Sequence, residues 1–384
     1  MLRAMTTAQA PSTRAADQAL SREQLVFLDG IRGLAAVAVA LYHTFLFTGH
    51  SGDAARDLPV LPRLFFLGQY GVAVFIVLSG FVLAWQSQSA AGVRLKGGLA
   101  EFMRRRSRRI LPPYYAVLAI FSVLILAIPA LNTLSGTDWD SKLPVNAHAV
   151  ITHALLVNNL GDDAVRIDGP LWSVATEFQI YIVFALALIP LWRRFGVFAA
   201  ALAGLAAGLA LHAAFGLDAA RPWYIGLFGF GMCAAEIVYT QRLVLSVRQW
   251  RLVAATLVGV VVLAALARQA TVAQRPWLFE PILGAGVAAM LVAISRNVSG
   301  LAYRTLAGRH LLTLGLFSYS IYLVHSPIIG WFNLATVGIH MPTIVRLGML
   351  ILVALPIAVG LAYAFHVLVE RRFLTTHQRT LEAR

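Results

Sequence analysis

Ten long apolar windows recur along the chain, each closed by a charged or Pro/Gly-rich break. They fall at roughly 30–48, 65–86, 110–131, 171–192, 196–215, 222–240, 250–267, 278–295, 311–331 and 345–367. At ~1.5 Å per residue each can cross, or nearly cross, a hydrocarbon core of ~30 Å. The pattern predicts an all-α fold, a polytopic membrane helix bundle of about ten transmembrane helices. The longest break, 132–170, holds a short apolar run at 150–157. That run is too short to cross and is expected to be re-entrant or interfacial. Gly204-Leu-Ala-Ala-Gly208 reads as a close helix-packing face.

Composition agrees with the pattern. Of 384 residues, 59% are hydrophobic and 12% charged, with a mean hydropathy of +0.75, a balance that excludes an ordinary soluble domain. The net charge of +14 would suit a nucleic-acid partner if it were clustered on one domain. Instead the basic residues gather in alternate loops, so no nucleic-acid partner is expected and both termini are placed in the cytoplasm. With that orientation only eight Lys and Arg lie outside, among them Lys142, Arg166 and Arg221. This topology predicts a multi-pass protein of the cytoplasmic (inner) membrane, in contact with membrane lipids. Residues 1–24 have no apolar core of their own and are expected to form a disordered cytoplasmic tail before an uncleaved anchor. The membrane domain is set at 25–375, followed by a short cytoplasmic tail at 376–384. Cys233 is the single cysteine, which rules out an intrachain disulfide and any multi-cysteine metal site; no metal is expected.

Four stretches carry candidate chemistry. In the first window, Arg32 and His43 stand eleven positions apart, about three helical turns, and share a face. His43 then lies ~16 Å beyond Arg32, near mid-membrane, where an ionisable side chain faces the bundle interior by default. Asp29 precedes Arg32 by one turn, which predicts a local ion pair. A packed core histidine is the plain alternative; a general base beside a cation is the functional one. The second stretch is Arg104-Arg-Arg-Ser-Arg-Arg109-Ile-Leu-Pro-Pro. It reads either as an anchor on anionic lipid or as a phosphate clamp, with coenzyme A an obvious cytoplasmic ligand. In the third, Ser173, Glu177 and Tyr181 line one stripe of the fourth window, just after Trp172. In the fourth, Ser318, Tyr322 and His325 form a similar stripe, where hydrogen bonding or packing is favoured over catalysis.

Taken in order, these stretches resemble the acyltransferase-3 family of integral-membrane O-acyltransferases. The resemblance rests on Arg32 followed by His43, on Gly71-Val-Ala-Val-Phe-Ile-Val-Leu-Ser-Gly-Phe81, and on Arg106-Ser-Arg-Arg109-Ile-Leu-Pro112. It extends to Trp172-Ser173 with Glu177, and to Ser318-Tyr-Ser-Ile-Tyr-Leu-Val-His325. It spans about 25–373 and lacks an appended esterase-like domain. It implies transfer of an acyl group, acetyl or another short chain, from acyl-CoA to a hydroxyl of a carbohydrate or glycosylated acceptor such as a cell-envelope glycan. It further implies catalytic roles for His43, Arg32, Asp29 and Glu177, and coenzyme A contacts from Arg105, Arg106 and Arg109. Trp172, Ser173, Tyr181, Ser318, Tyr322 and His325 would meet substrate. Acyl-CoA would be a co-substrate, with no cofactor bound permanently. General-base and acyl-histidine routes both stay open, as does a homo-oligomer. Alternative readings are acylation of a glycosylated natural product such as a macrolide, transport of an acylated or anionic substrate, and a non-catalytic scaffold.

Overall fold

A computed structural model describes residues 25–374, apart from 242 and 244 and the side chain of Pro62. The expected tails at 1–24 and 376–384 lie outside the described residues. We number the long helices in chain order. They are α1 (Phe27–Leu46), α2 (Gly71–Ser87), α3 (Gly98–Ala127), α4 (Leu171–Phe195) and α5 (Val197–Phe215). They continue as α6 (Tyr224–Thr240), α7 (Val247–Gln274), α8 (Pro276–Ser295), α9 (Ser318–Thr336) and α10 (Thr343–Leu368). Every apolar window falls on one of them, and the described residues contain no strand.

With α2 counted from Arg63, together with the short turns that run into it, seven helices are long and apolar enough to cross a membrane, and an eighth qualifies if α9 is joined to Arg309–Leu316, from which it is bent by 70°. The two windows outside that count differ for physical reasons. Helix α1 is long enough, but Asp29, Arg32 and His43 lower its hydropathy. Helix α6, at 17 residues, rises only ~25 Å. It lies in the bundle interior, packed on α2, α5 and α8, so its length answers to protein neighbours rather than to lipid.

Close approach is built from small residues. A Cβ on Gly231 of α6 would stand 2.0 Å from the Val77 carbonyl of α2, and one on Gly80 of α2 would stand 2.0 Å from the Phe228 carbonyl of α6. The expected small face of α5 is also used. Cβ atoms on Gly204 and Gly208 would meet Ile225 at 2.9 Å and the Pro222 carbonyl at 2.3 Å. Helices α4 and α10 each contain a π turn, Phe184–Leu188 and Leu350–Ala354. Pro190 and Pro356 follow these turns directly; a residue without an N–H cannot complete the ordinary ladder, and the wider turn absorbs the defect.

Helix α3 is longer than its window because the arginine run Arg104–Arg109 belongs to the same continuous helix. The end of the bundle where this run lies is the basic face. At the opposite end, the segment between α3 and α4 folds back over the bundle. Its short apolar run forms the helix Ala147–Ala154. Tyr114 and Tyr115, near the middle of α3, donate to the carbonyls of His153 (2.9 Å) and Ala154 (2.8 Å). The segment therefore packs alongside α3.

Candidate active site

Helices α1 and α9 run side by side and bring His43 against His325. The Val39 carbonyl accepts from His43 Nδ1–H at 2.9 Å, and the Ile321 carbonyl accepts from His325 Nδ1–H at 2.8 Å. A carbonyl oxygen can only accept, so each ring carries hydrogen on Nδ1. For neutral rings, His325 Nε2, 3.2 Å from His43 Nδ1, then takes a share of that hydrogen. His43 Nε2 is left with an unused lone pair, and no described residue bonds it. His325 is fully buried, whereas His43 is half-buried and still reachable. The tautomers follow from the partners, and the partners make His43 the base and His325 the group that orients it.

A cavity of about 810 Å³ leads from the basic face toward this pair. It begins among Lys96, Arg105, Arg106, Arg108 and Arg109, passes Asp29 and Arg32, and ends at Ser173, Glu177 and Tyr322. The Tyr322 ring stands 6.1 Å from that of His325, so one aromatic ring separates the inner wall from the histidines. Its hydroxyl meets Ser173 Oγ at 2.6 Å and donates to the Pro170 carbonyl at 3.2 Å, which ties α9 to the start of α4. Ser318 lines the same cavity and donates to the Gly315 carbonyl at the bend before α9. Glu177 accepts from Tyr181 on its own helix and from Ser79 of α2 at 2.6 Å. Arg32 forms the expected pair with Asp29, at 2.6 Å.

The arginines divide by partner. Arg104 and Arg105 bind Glu101, and Arg105 also donates to the Lys96 carbonyl. Arg109 faces the fully buried Glu370 at 2.9 Å. Glu370 also accepts from Ser320 (2.6 Å) and His366 (2.7 Å), so this arginine is committed to holding the C-terminal turn. Arg106 meets only the neutral Gln86 amide at 3.3 Å, and its Nε is buried without a partner. Its positive charge, with that of Arg108 on the same cavity wall, is left available to an anion.

A family described as an acyltransferase domain, acyltransferase 3, matches residues 25–364. The chain belongs to this family. Among curated relatives of the acyltransferase-3 chain, the acyltransferase MdmB of Streptomyces mycarofaciens is 31% identical over 178 residues, 44% of this chain and 40% of that protein. The putative peptidoglycan O-acetyltransferase YrhL of Bacillus subtilis is 28% identical over 79% of this chain and 48% of its own. The O-acetyltransferase OatA of Staphylococcus aureus is 24% identical over 85% and 54%. The chain thus spans about half the length of the curated relatives it matches. No solved structure matches it.

Within this acyltransferase domain, all thirteen residues singled out from sequence lie on the described helices; those lining the cavity are Asp29, Arg32, Arg105, Arg106, Arg109, Ser173, Glu177, Tyr181, Ser318 and Tyr322. Trp172, His43 and His325 stand outside its lining, Trp172 beneath the Arg221 guanidinium at 5.1 Å. Sequence reasoning favoured hydrogen bonding or packing for His325, with substrate contact implied by the resemblance, and missed Ser79, although its serine sat within a quoted motif. It also missed Lys142 and Asp168, which the folded-back segment carries into the bundle, both essentially without exposure. Lys142 Nζ donates to Ser326 Oγ at 3.0 Å, lies 4.0 Å from Asp168, and sits 5.3 Å from the Phe47 ring, which stacks on His43. Burial pushes the Lys142 ammonium down and the Asp168 carboxyl up. Only its position in a polar outer segment was available from sequence, and that gives no hint of depth.

Proposed function

We propose that the protein is an O-acyltransferase of the inner membrane that moves a short acyl group, such as acetyl, from acyl-CoA to a hydroxyl of a carbohydrate or glycosylated acceptor. A cell-envelope glycan is the favoured acceptor, since the YrhL name refers to peptidoglycan. The carrying observation is the cation-lined cavity that ends at Tyr322, whose ring stands 6.1 Å from His325, the partner of a His43 with a free Nε2. Its volume lies in the range of sites that bury a large small molecule. The charge bias supports a cytoplasmic position for the basic face, where coenzyme A is supplied.

In this reading the phosphates of coenzyme A rest on Arg106, with Arg105, Arg108, Lys96 and Arg32 around them. The thioester arm runs inward past Glu177 to Tyr322. His43 Nε2 takes the proton of the acceptor hydroxyl as its oxygen attacks the thioester carbon. The new C–O bond forms, the C–S bond breaks, and the proton passes from His43 to the departing thiolate. The imidazolium formed on the way keeps its Nδ1–H on the Val39 carbonyl and His325 Nε2, so the ring does not turn during the transfer. Asp29 holds the Arg32 guanidinium, and the Ser79–Glu177–Tyr181 cluster fixes the wall the acyl arm passes.

The test is release of free thiol from acetyl-CoA by purified protein, with and without a soluble glycan acceptor. His43→Ala should lower turnover by about 10²–10⁴-fold while acetyl-CoA still binds. His325→Ala should lower kcat by less, without raising the KM for acetyl-CoA. Equal turnover by wild type and His43→Ala would remove His43 from the chemistry. Absence of thiol release with every donor and acceptor tried, alongside uptake of acetyl-CoA into proteoliposomes, would favour transport instead.

A further inference from the structure

Helices α7 and α8 pack against each other. Where α7 begins and α8 stops, a second cavity of about 520 Å³ opens between them, with the short helix Leu301–Leu306 as its third wall. It lies at the basic end of the bundle. Tyr303 of the third wall packs on Phe27 at the start of α1, with ring centroids 5.7 Å apart, and Gly30 closes on the Leu306 carbonyl too tightly to admit a Cβ. Asp29 and Arg32, on the same stretch of α1, line the larger cavity, but no residue lines both.

The inside of this second cavity is apolar. Ala254 of α7 and Ala293 and Ile294 of α8 face it, and Met290 lies roughly 10 Å deeper along the helix than Asn297. Apart from the Tyr303 hydroxyl, the polar side chains of its lining are Arg251 and Thr305, both exposed, and Asn297, half-buried. The Arg251 guanidinium has no hydrogen-bond or ion-pair partner among the described residues. Arg296, by contrast, donates to the carbonyls of Ile237, Leu243 and Leu245 and so holds the turn before α7. Between residues 241 and 310 the sequence has one acidic residue, Glu280, which sits near the opposite end of α8 and is bound to Arg221. No carboxylate of these elements therefore competes for Arg251. Helix α7 is also the span least covered by protein, with 22% of its apolar window buried, so its side of the cavity meets the bilayer.

We propose that this cavity binds an anionic glycerophospholipid of the surrounding membrane. One acyl chain enters between α7 and α8, and the phosphodiester rests on Arg251, with the Asn297 amide and the Thr305 hydroxyl as further donors. An apolar slot capped by an unpaired guanidinium matches an amphiphile with a single negative head. A zwitterionic lipid would bring its own cation to a rim that has no carboxylate to receive it. A soluble anion would leave the apolar interior unfilled. Because the third wall packs on the start of α1, an occupant here should stabilise the fold against heat as any ligand of the native state does.

The experiment is native mass spectrometry of the purified full chain in detergent, which counts bound lipids as dioleoylphosphatidylglycerol or dioleoylphosphatidylcholine is added. Wild type should bind one phosphatidylglycerol about tenfold more tightly than phosphatidylcholine. Arg251→Gln changes an exposed residue with no protein partner, so it should fold as wild type and lose that preference. Ala254→Phe, which fills the apolar interior, should lose the bound lipid altogether; Arg251→Gln decides the site if the larger side chain at 254 is not tolerated. Arg248→Gln, one turn earlier on α7 and outside the lining, should behave as wild type. Acetyl-CoA at saturation should leave the lipid in place. Equal binding of the two lipids by wild type, or a loss in Arg248→Gln as large as in Arg251→Gln, would reduce the site to diffuse contact between a charged surface and lipid and overturn it. Displacement by acetyl-CoA would overturn it as well, because the lipid would then lie in the larger cavity. Competition by glycerol phosphate as strong as by the whole lipid would do the same, since the head alone would be the ligand.

Discussion

Two histidines from distant parts of the chain share a hydrogen here, and a lysine on the other side of Phe47 adds a charge near them. That lysine is the most exacting residue in the structure. An ammonium and a carboxylate taken fully out of water each carry a desolvation penalty of several kcal/mol, and Lys142 and Asp168 are 4.0 Å apart, too far for a direct hydrogen bond. Lys142→Met alone should destabilise the protein by about 3–5 kcal/mol, because Asp168 is left buried and unpaired. The pH dependence has a definite sign. Burial raises the Asp168 carboxyl, so the stability linked to it is present below its unfolded value of ~3.9 and is lost as pH rises through the folded one. Lys142→Met should therefore melt highest at acid pH and progressively lower toward neutrality. Adding Asp168→Asn should flatten that dependence and return stability close to wild type. Melting curves of the three proteins between pH 4.5 and 8 decide it. Unchanged melting in Lys142→Met would mean that the pair is solvated after all.

At the scale of elements, the spans were legible because apolar length is a property of the local sequence, and each window became a helix. What spacing along one helix could show was also legible. Asp29 meets Arg32, and Glu177 meets Tyr181. Contacts between helices were not legible, because the azimuth of one helix toward another is set by packing. His43 with His325, Glu177 with Ser79, and Arg109 with Glu370 all fall in that class. The arginine run shows the consequence. Five like residues in sequence became two bound to Glu101, one bound to Glu370, and two, Arg106 and Arg108, left for a ligand. The packing itself turns on single hydrogens. Gly231→Ala would push a methyl group into the Val77 carbonyl at 2.0 Å, where neither backbone can yield alone. The expected loss is about 1–3 kcal/mol. It should appear as a lower temperature for half-loss of the monodisperse peak in size-exclusion chromatography. A neutral Gly231→Ala would show that α2 and α6 can separate without cost.

The whole molecule concentrates positive charge at one end of a deep cavity whose other end carries Ser173, Glu177 and Tyr322. Such a field draws in a polyanion; for the proposed acyl-CoA donor it would set the phosphates outward and the thioester inward before any specific contact is made. The attraction is screened by salt in proportion to how far the charges lie from each other and how much water lies between them. If coenzyme A is the donor, raising ionic strength from 0.05 to 0.5 M should raise the KM for acetyl-CoA while kcat stays nearly constant (~10-fold or more in KM is the scale expected when several arginines act together). Arg106→Gln should raise that KM at low salt and make it less salt-dependent, with melting unchanged. Arg109→Gln should do the reverse, lowering stability more than affinity, because it strands Glu370 in the interior. The contrast tests the division of labour as well as the ligand. Equal KM effects from both variants would mean that Glu370 yields Arg109 to the substrate. A salt-independent KM would mean that the donor is not the polyanion for which the cavity is charged.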